Sequence, residues 1–242
     1  MRVESLVRKR IVFAMVVVAG LIGISCSQHF VRLNYSCYDA DSRLNETWAA
    51  LQEARTAGCD VLPNGIDRCD NLRQQIEYIA QDCPNDIHAL MINAILAYDE
   101  KQFAKSEQLL DSLFSLRTNY PEAAILKARL ALEEGNTPFA LRYLEQQIQL
   151  SPDHAGLREL YASALYSVTR LEEAQAALTM AQRLGGPSWR INYGRGLIQE
   201  AMGQLAAARI YYEAALTERP GWKPPESRLR ALDAAGGSTP QR

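Results

Sequence analysis

The sequence repeats itself with a period of 34 residues over positions 87–220. One column of small residues marks this period, and its members are Ser106, Ala140, Ala174 and Ala208. A second small column lies twelve residues earlier and consists of Ala94, Ala128, Ala162 and Gly196. A period of roughly 20 to 50 residues indicates a stacked array of similar units rather than one globular core. The stretch therefore predicts four tandem units that follow one another without an insertion.

Each unit divides into two segments of helix length. In the second unit, apolar residues recur with helical spacing over 122–134 and over 138–150. Gly135 is suited to end the first helix in a left-handed turn, and Thr137 is a candidate cap for a helix that starts at Pro138. Runs with the alternation typical of strands are weak throughout the chain. We therefore predict an all-α fold in which each helix hairpin is covered by its neighbours.

The repeated columns resemble those of the tetratricopeptide repeat. The clearest match is in the last unit, where the shared residues are Gly203, Gln204, Leu205, Ala208, Tyr212, Ala215 and Pro220. The resemblance implies a right-handed superhelical array of antiparallel helix hairpins, an α-solenoid with about four regular repeats in 87–220.

Both ends of this array differ from the regular units. Pro84 lies two periods before Pro152, so we interpret 27–86 as a degenerate repeat that forms an N-terminal cap. At the other end, segment 221–242 is predicted to contain a capping helix over 225–235, followed by a flexible tail. Leu229 and Leu232 of that helix are placed to cover the last hairpin. Such caps are needed because a terminal repeat has one face without a neighbour.

The first 26 residues have the features of an export signal. A basic segment precedes an uncharged run over 11–25, which as a helix is about 23 Å long and shorter than a hydrocarbon core of about 30 Å. The residues before Cys26 resemble the lipobox of bacterial lipoproteins, which implies that Cys26 is acylated. Ser27 then implies an outer-membrane lipoprotein facing the periplasm. An uncleaved signal anchor in the inner membrane and an ordinary cleaved signal are the alternatives, and all three place the rest of the chain outside the cytoplasm.

All five cysteines precede position 84, and assigning Cys26 to a lipid leaves an even set. Helices are predicted over 44–57 and 66–81, joined by a turn at Asn64-Gly65. In an antiparallel hairpin, the inner two cysteines flank the turn and the outer two flank the open end. Because disulfides persist in exported proteins, we predict the bonds Cys37–Cys83 and Cys59–Cys69. The spacing lacks the short cysteine pairs of a zinc site.

No catalytic constellation is evident in the sequence. The formal net charge of -2 provides no basic field for nucleic acid. The three histidines lack partners at metal-ligand spacing, and neither a glycine-rich phosphate loop nor a Gly-x-Ser-x-Gly motif is present. We therefore expect no enzyme activity, no cofactor, no metal and no nucleic-acid partner.

The resemblance implies that the first helices of the repeats line a concave groove that binds another polypeptide. Tyr and Arg are enriched at binding hot spots, although packing against adjoining helices explains the tyrosines equally well. The positions that match the groove are Met91, Ile95, Tyr98, Ile125, Arg129, Leu132, Tyr166, Arg190, Tyr193 and Leu197. Met91 and Ile95 stand where relatives that bind acidic C-terminal chaperone tails have basic and amide groups, so such a tail is not expected here.

These observations predict a membrane-anchored, extracytoplasmic protein that binds another polypeptide. Its role would be that of a scaffold or assembly factor in a cell-envelope complex. A purely structural spacer within a larger membrane complex and an accessory protein that regulates an envelope enzyme are the alternatives.

Overall fold

A computed structural model describes residue 37 and residues 39–236. The described residues form eleven α-helices, and their one β-type contact is an isolated bridge between Val61 and Asp67. In chain order the helices are α1 (Ala40–Ala57), α2 (Arg68–Asp82), α3 (Ile87–Asp99), α4 (Phe103–Leu116), α5 (Pro121–Glu133), α6 (Thr137–Leu150), α7 (Ala155–Ser167), α8 (Leu171–Arg183), α9 (Ser188–Ala201), α10 (Leu205–Glu218) and α11 (Lys223–Gly236). The predicted all-α fold of helix hairpins is confirmed.

The chain divides into two compact units, Met1–Leu116 and Arg117–Arg242. The described helices of the first unit are α1 to α4, and those of the second are α5 to α11. Within each unit, helices that follow one another in the chain pack together as antiparallel hairpins.

In the first unit, α1 and α2 form the hairpin predicted for the cysteine-containing segment. The helix α1 begins at Ala40, one turn earlier than the predicted start. Asp67 caps α2 by accepting hydrogen bonds from the backbone N–H groups of Cys69 and Asp70, at 2.8 and 3.1 Å. The hairpin packs against α3 through a buried apolar cluster that includes Leu44, Leu51, Ile76, Ile79, Ala89, Ile92 and Leu96.

Two disulfides close this hairpin at its opposite ends. One joins Cys37 to Cys83, with Cα atoms 5.5 Å apart, and the other joins Cys59 to Cys69, with Cα atoms 5.4 Å apart. These are the same two pairs that the hairpin arrangement predicts from the sequence. Each bond ties together positions that are separated along the chain and adjacent in the fold.

In the second unit, the boundaries of the predicted helices agree with the structure to within one residue for α5 and α6. Gly135 adopts the expected left-handed conformation, with φ of +77°. The cap of α6 is Asn136 rather than Thr137, because the Asn136 side chain accepts a hydrogen bond from the backbone N–H of Phe139 at 3.4 Å. Thr137 is therefore the first helical residue, and Pro138 follows it in the first turn, where its missing N–H is tolerated.

The helix α11 covers the last hairpin. It is longer than predicted, and Leu232 and Leu229 pack against Ala208 and Tyr212 of α10. None of the helices in the described part of the chain combines the length and the apolarity needed to cross a bilayer. The predicted export signal with Cys26, and the predicted tail over 237–242, lie outside the described residues.

Candidate functional site

A concave surface in the second unit is lined mainly by α5, α7 and α9, and it encloses about 470 Å³. Its apolar parts come from aliphatic side chains on four helices, namely Ile125, Leu160, Leu178 and Leu197. The second helices of the hairpins contribute little, since Leu178 of α8 is their one lining residue in the described second unit. We call this surface the groove.

The 34-residue period explains which side chains line the groove. Residues one period apart occupy equivalent positions on α5, α7 and α9, and α5 packs beside α7 as α7 packs beside α9. Three such columns line the groove on all three helices: Glu122, Gly156 and Arg190; Ile125, Glu159 and Tyr193; and Arg129, Ser163 and Leu197. Repetition in the sequence therefore becomes a continuous surface in the fold.

Two glycines allow the helices around the groove to approach closely. A Cβ added to Gly156 would lie 3.0 Å from Cδ1 of Ile125, and one added to Gly194 would lie 3.0 Å from Cδ1 of Leu178. Both glycines line the groove. Glycine carries no side chain. The groove is therefore deeper at these two positions than it would be with the larger residues that occupy the equivalent positions of other repeats.

A largely buried carboxylate, that of Glu159, is paired with the guanidinium group of Arg190. The Nε atom of Arg190 is 2.8 Å from Oε2 of Glu159, whose side chain is only 13% exposed. Burial raises the pKa of Glu159, while the charges of Arg190 and, more weakly, Arg129 oppose this rise. Arg129 is exposed, and it forms no ion pair or side-chain hydrogen bond with any residue that the structure describes. With Glu122, which also lines the groove, the charged side chains of the lining are two acids and two arginines.

His154 lies at the rim of the groove and caps α7. Its Nδ1 accepts a hydrogen bond from the backbone N–H of Leu157 at 3.3 Å, so a neutral His154 carries its proton on Nε2. That Nε2 atom lies 3.4 Å from Oε1 of Glu122. These two contacts engage both ring nitrogens inside the protein, which suits a structural role for this histidine.

An aromatic cluster forms the other end of the groove. The ring of Trp222 meets those of Trp189 and Tyr193 edge to face, at centroid distances of 4.7 and 4.9 Å. Arg219 stacks over Trp189, with its Cζ atom 4.3 Å from the ring centroid. Trp222 is not among the predicted groove residues, and the signal in the sequence is an aromatic residue in a Pro-rich connection between helices, where polar residues are the norm.

The structure brings together half of the residues predicted for the groove. Those that line it are Ile125, Arg129, Arg190, Tyr193 and Leu197. Leu132 and Tyr166 lie on the same helices but outside this lining, and Tyr166 packs against the buried core of the second unit. The remaining three, Met91, Ile95 and Tyr98, are on α3 in the first unit, where the Tyr98 ring contacts that of Phe103 at 5.8 Å.

Two groups of potential metal ligands occur in the first unit, and internal contacts occupy both. Cys59 and Cys69 are joined in a disulfide beside Asp67. In the other group, Nδ1 of His88 is 2.8 Å from Oδ1 of Asp41, and the remaining member, Asp86, caps α3 through the N–H of Ala89. We assign no metal to either group.

Comparison with known proteins identifies the fold. No family model matches this sequence, and no curated protein is similar to it. A tetratricopeptide-repeat protein of Thermus thermophilus, TTC0263, aligns over 79% of this chain and 99% of its own, with a TM-score of 0.65 and 16% identity. A tetratricopeptide-repeat protein of Parabacteroides merdae aligns over 85% of this chain and 84% of its own, with a TM-score of 0.62 and 15% identity.

A more distant match is a chain of the APC/C hetero-tetramer Cut9–Hcn1, with a TM-score of 0.58 and 12% identity. It aligns over 67% of this chain and 33% of its own. At these identities the likeness establishes architecture alone. The protein has the tetratricopeptide-repeat fold that its repeated columns predict.

Proposed function

We propose that this protein binds another polypeptide in the groove of the second unit and acts as a scaffold or assembly factor. The observation that carries the proposal is the groove itself, in which three columns of the repeat present charged, aromatic and aliphatic side chains on one concave surface. Concave sites with an apolar floor and a few polar groups are typical of ligand binding. The aromatic and arginine side chains are of the types enriched at hot spots.

The dimensions of the groove suit a segment of polypeptide. Neighbouring packed helices lie about 8–10 Å apart, so the distance from α5 across α7 to α9 is about 20 Å. An extended chain advances by about 3.3 Å per residue, and about six residues therefore span the three helices.

We further propose that the groove performs no catalysis. Its one half-buried acid, Glu159, is neutralised by Arg190. Its histidine, His154, is engaged through both ring nitrogens. A general acid or base needs a titratable atom that faces the substrate and is free of other contacts. The contacts of Glu159 and His154 leave neither side chain with such an atom.

We also propose that the protein works outside the cytoplasm, attached to a membrane through a lipid on Cys26. The disulfides Cys37–Cys83 and Cys59–Cys69 support export, because such bonds persist in oxidising compartments. Two or more acyl chains would hold the protein stably at a bilayer without a spanning helix. In this arrangement the groove serves a cell-envelope complex, at the outer membrane on the periplasmic side.

Acylation of Cys26 predicts that cells fed an alkyne analogue of palmitate will label the protein. Replacing Cys26 by serine is expected to abolish the label and to release the chain from the membrane fraction, because serine cannot form the thioether bond. In-gel fluorescence after click chemistry measures the first effect, and fractionation measures the second. Replacing Cys69 by serine is the control, and its label is expected to persist. Membrane attachment without label in the wild type would favour the uncleaved signal anchor.

Use of the groove predicts that a photo-crosslinking residue at Ser163 will capture the partner. Ser163 is exposed and lies at the middle of the groove, whereas Ala176 is exposed on α8 and does not line it. We expect adducts from the crosslinker at position 163 in native membranes, identified by mass spectrometry, and not from the one at position 176. If position 176 gives the adducts and position 163 gives none, the partner binds the other face of the hairpins.

A further inference from the structure

We infer that the segment bound in the groove carries an acidic side chain that pairs with Arg129, next to a large apolar side chain that packs on Tyr193 and Trp222. This inference rests on the proposed function, since it specifies the chemistry of the polypeptide that the same groove binds. Three features of the groove support it, namely the exposed side chain of Arg129, the aromatic end and the spacing between them.

The exposed guanidinium group of Arg129 favours an anionic ligand group. Glu159 has its closest cation in Arg190, with which it also forms a second contact, from Nη2 to Oε1, at 3.3 Å. Arg129 lines the same groove and is exposed, without an ion-pair partner among the residues that the structure describes. A carboxylate from the ligand would give Arg129 an ion-pair partner, and an Arg–carboxylate pair can form two parallel hydrogen bonds.

The aromatic end favours a large apolar side chain. Trp222 and Tyr193 both line the groove, and their edge-to-face contact fixes the orientation of the two rings. Tyr193 is held from behind by Tyr212, at a centroid distance of 5.8 Å. Rings that are already ordered lose little conformational freedom when a ligand binds, so burial of an apolar side chain against them contributes efficiently to affinity.

The spacing between these features sets a register for the ligand. Arg129 is on α5, and the aromatic end is formed by α9 and the connection before α11. An extended segment that reaches both would place its acidic and apolar residues about six positions apart. The groove lining contains no Lys and no Asn in the described second unit. We therefore expect an internal acidic side chain rather than a free C-terminal carboxylate.

The test is a selection of random 12-residue peptides displayed on phage, against the purified full chain and against its Arg129→Glu variant. We expect the wild type to enrich peptides with Asp or Glu about six positions from Trp, Phe or Leu. A fluorescein-labelled synthetic copy of the most enriched peptide is then titrated and followed by anisotropy. Arg129→Glu is expected to weaken its binding at least tenfold, because a charge-assisted hydrogen bond is replaced by repulsion. Replacing the acidic residue of the peptide by Lys is expected to weaken its binding to the wild-type protein by a similar factor. The same replacement should strengthen its binding to Arg129→Glu.

The matched control is Arg142→Glu, which makes the same charge change at an exposed position on α6 outside the groove lining. Its effect on affinity is expected to stay below twofold. Enrichment of basic or uncharged peptides that crosslink to position 163 would overturn the acidic ligand and leave the proposed function intact. Failure to enrich any peptide that crosslinks to position 163 would overturn the proposed function, and this inference with it.

Discussion

Replacing Gly196 by alanine is expected to lower the free energy of unfolding by about 2 kcal/mol. A Cβ at this position would lie 2.4 Å from Cε1 and 2.5 Å from Cδ1 of Tyr212, well inside van der Waals contact. Tyr212 is fully buried, and its hydroxyl donates a hydrogen bond to Oε2 of Glu200 at 2.6 Å. Because the ring is held at both its face and its hydroxyl, the backbones of α9 and α10 must separate to admit the methyl group.

Gly194→Ala provides the matched control for this prediction. Gly194 lies in the same helix, and a Cβ there would meet the end of the Leu178 side chain at 3.0 Å, which can move aside. Alanine exceeds glycine in helix propensity by about 1 kcal/mol, so this variant is expected to be as stable as the wild type or slightly more stable. Urea unfolding followed by circular dichroism measures both variants. Equal stability of the two would show that Tyr212 does not restrict the position of α9.

The contact between Gly196 and Tyr212 also connects the core to the groove. Tyr212 packs behind Tyr193, which lines the groove and contacts Trp222. A displacement of Tyr212 is therefore expected to disturb the aromatic end of the groove. A peptide obtained in the selection should accordingly bind Gly196→Ala more weakly than the wild type under conditions in which both proteins are folded.

Removal of the disulfide between Cys37 and Cys83 is also expected to have a large effect. It should lower the free energy of unfolding by about 4 kcal/mol. The bond links residues separated by 46 positions, and its loss gives the unfolded chain much more conformational freedom. Both cysteines should be replaced by serine so that no free thiol remains. The loss is expected to appear as lower hydrogen-exchange protection in α1 to α3, since these helices share one buried cluster.

The second disulfide is the control for loop length. Cys59 and Cys69 are separated by only 10 positions. Replacing both by serine is therefore expected to lower the free energy of unfolding by less, about 3 kcal/mol. Urea unfolding of the two double variants gives the comparison. Non-reducing peptide mapping of the wild type should recover the pairs Cys37–Cys83 and Cys59–Cys69. Recovery of Cys37 joined to Cys59, or identical unfolding with and without dithiothreitol, would contradict the assigned roles of these bonds.

The sequence alone determined the helical architecture of the chain because contacts in a repeat array are local. Within the second unit each hairpin packs against its neighbours, so a small residue is needed at the same place in every repeat, as Ala140, Ala174 and Ala208 illustrate. Left-handed turns such as that at Gly135 are equally local, because they depend on one residue's freedom to adopt a positive φ. Helix boundaries over α5 and α6 could for this reason be predicted to within one residue.

The tertiary structure decided which side chains on the predicted face meet to form a surface. Tyr166 and Tyr193 both lie on first helices and both pack against a buried cluster, yet only Tyr193 also lines the groove. Trp222 joins the groove from a connection that breaks the period. A repeat in the sequence specifies equivalent backbone positions, but the direction and contacts of a side chain depend on residues from several helices, and those contacts form only when the helices pack.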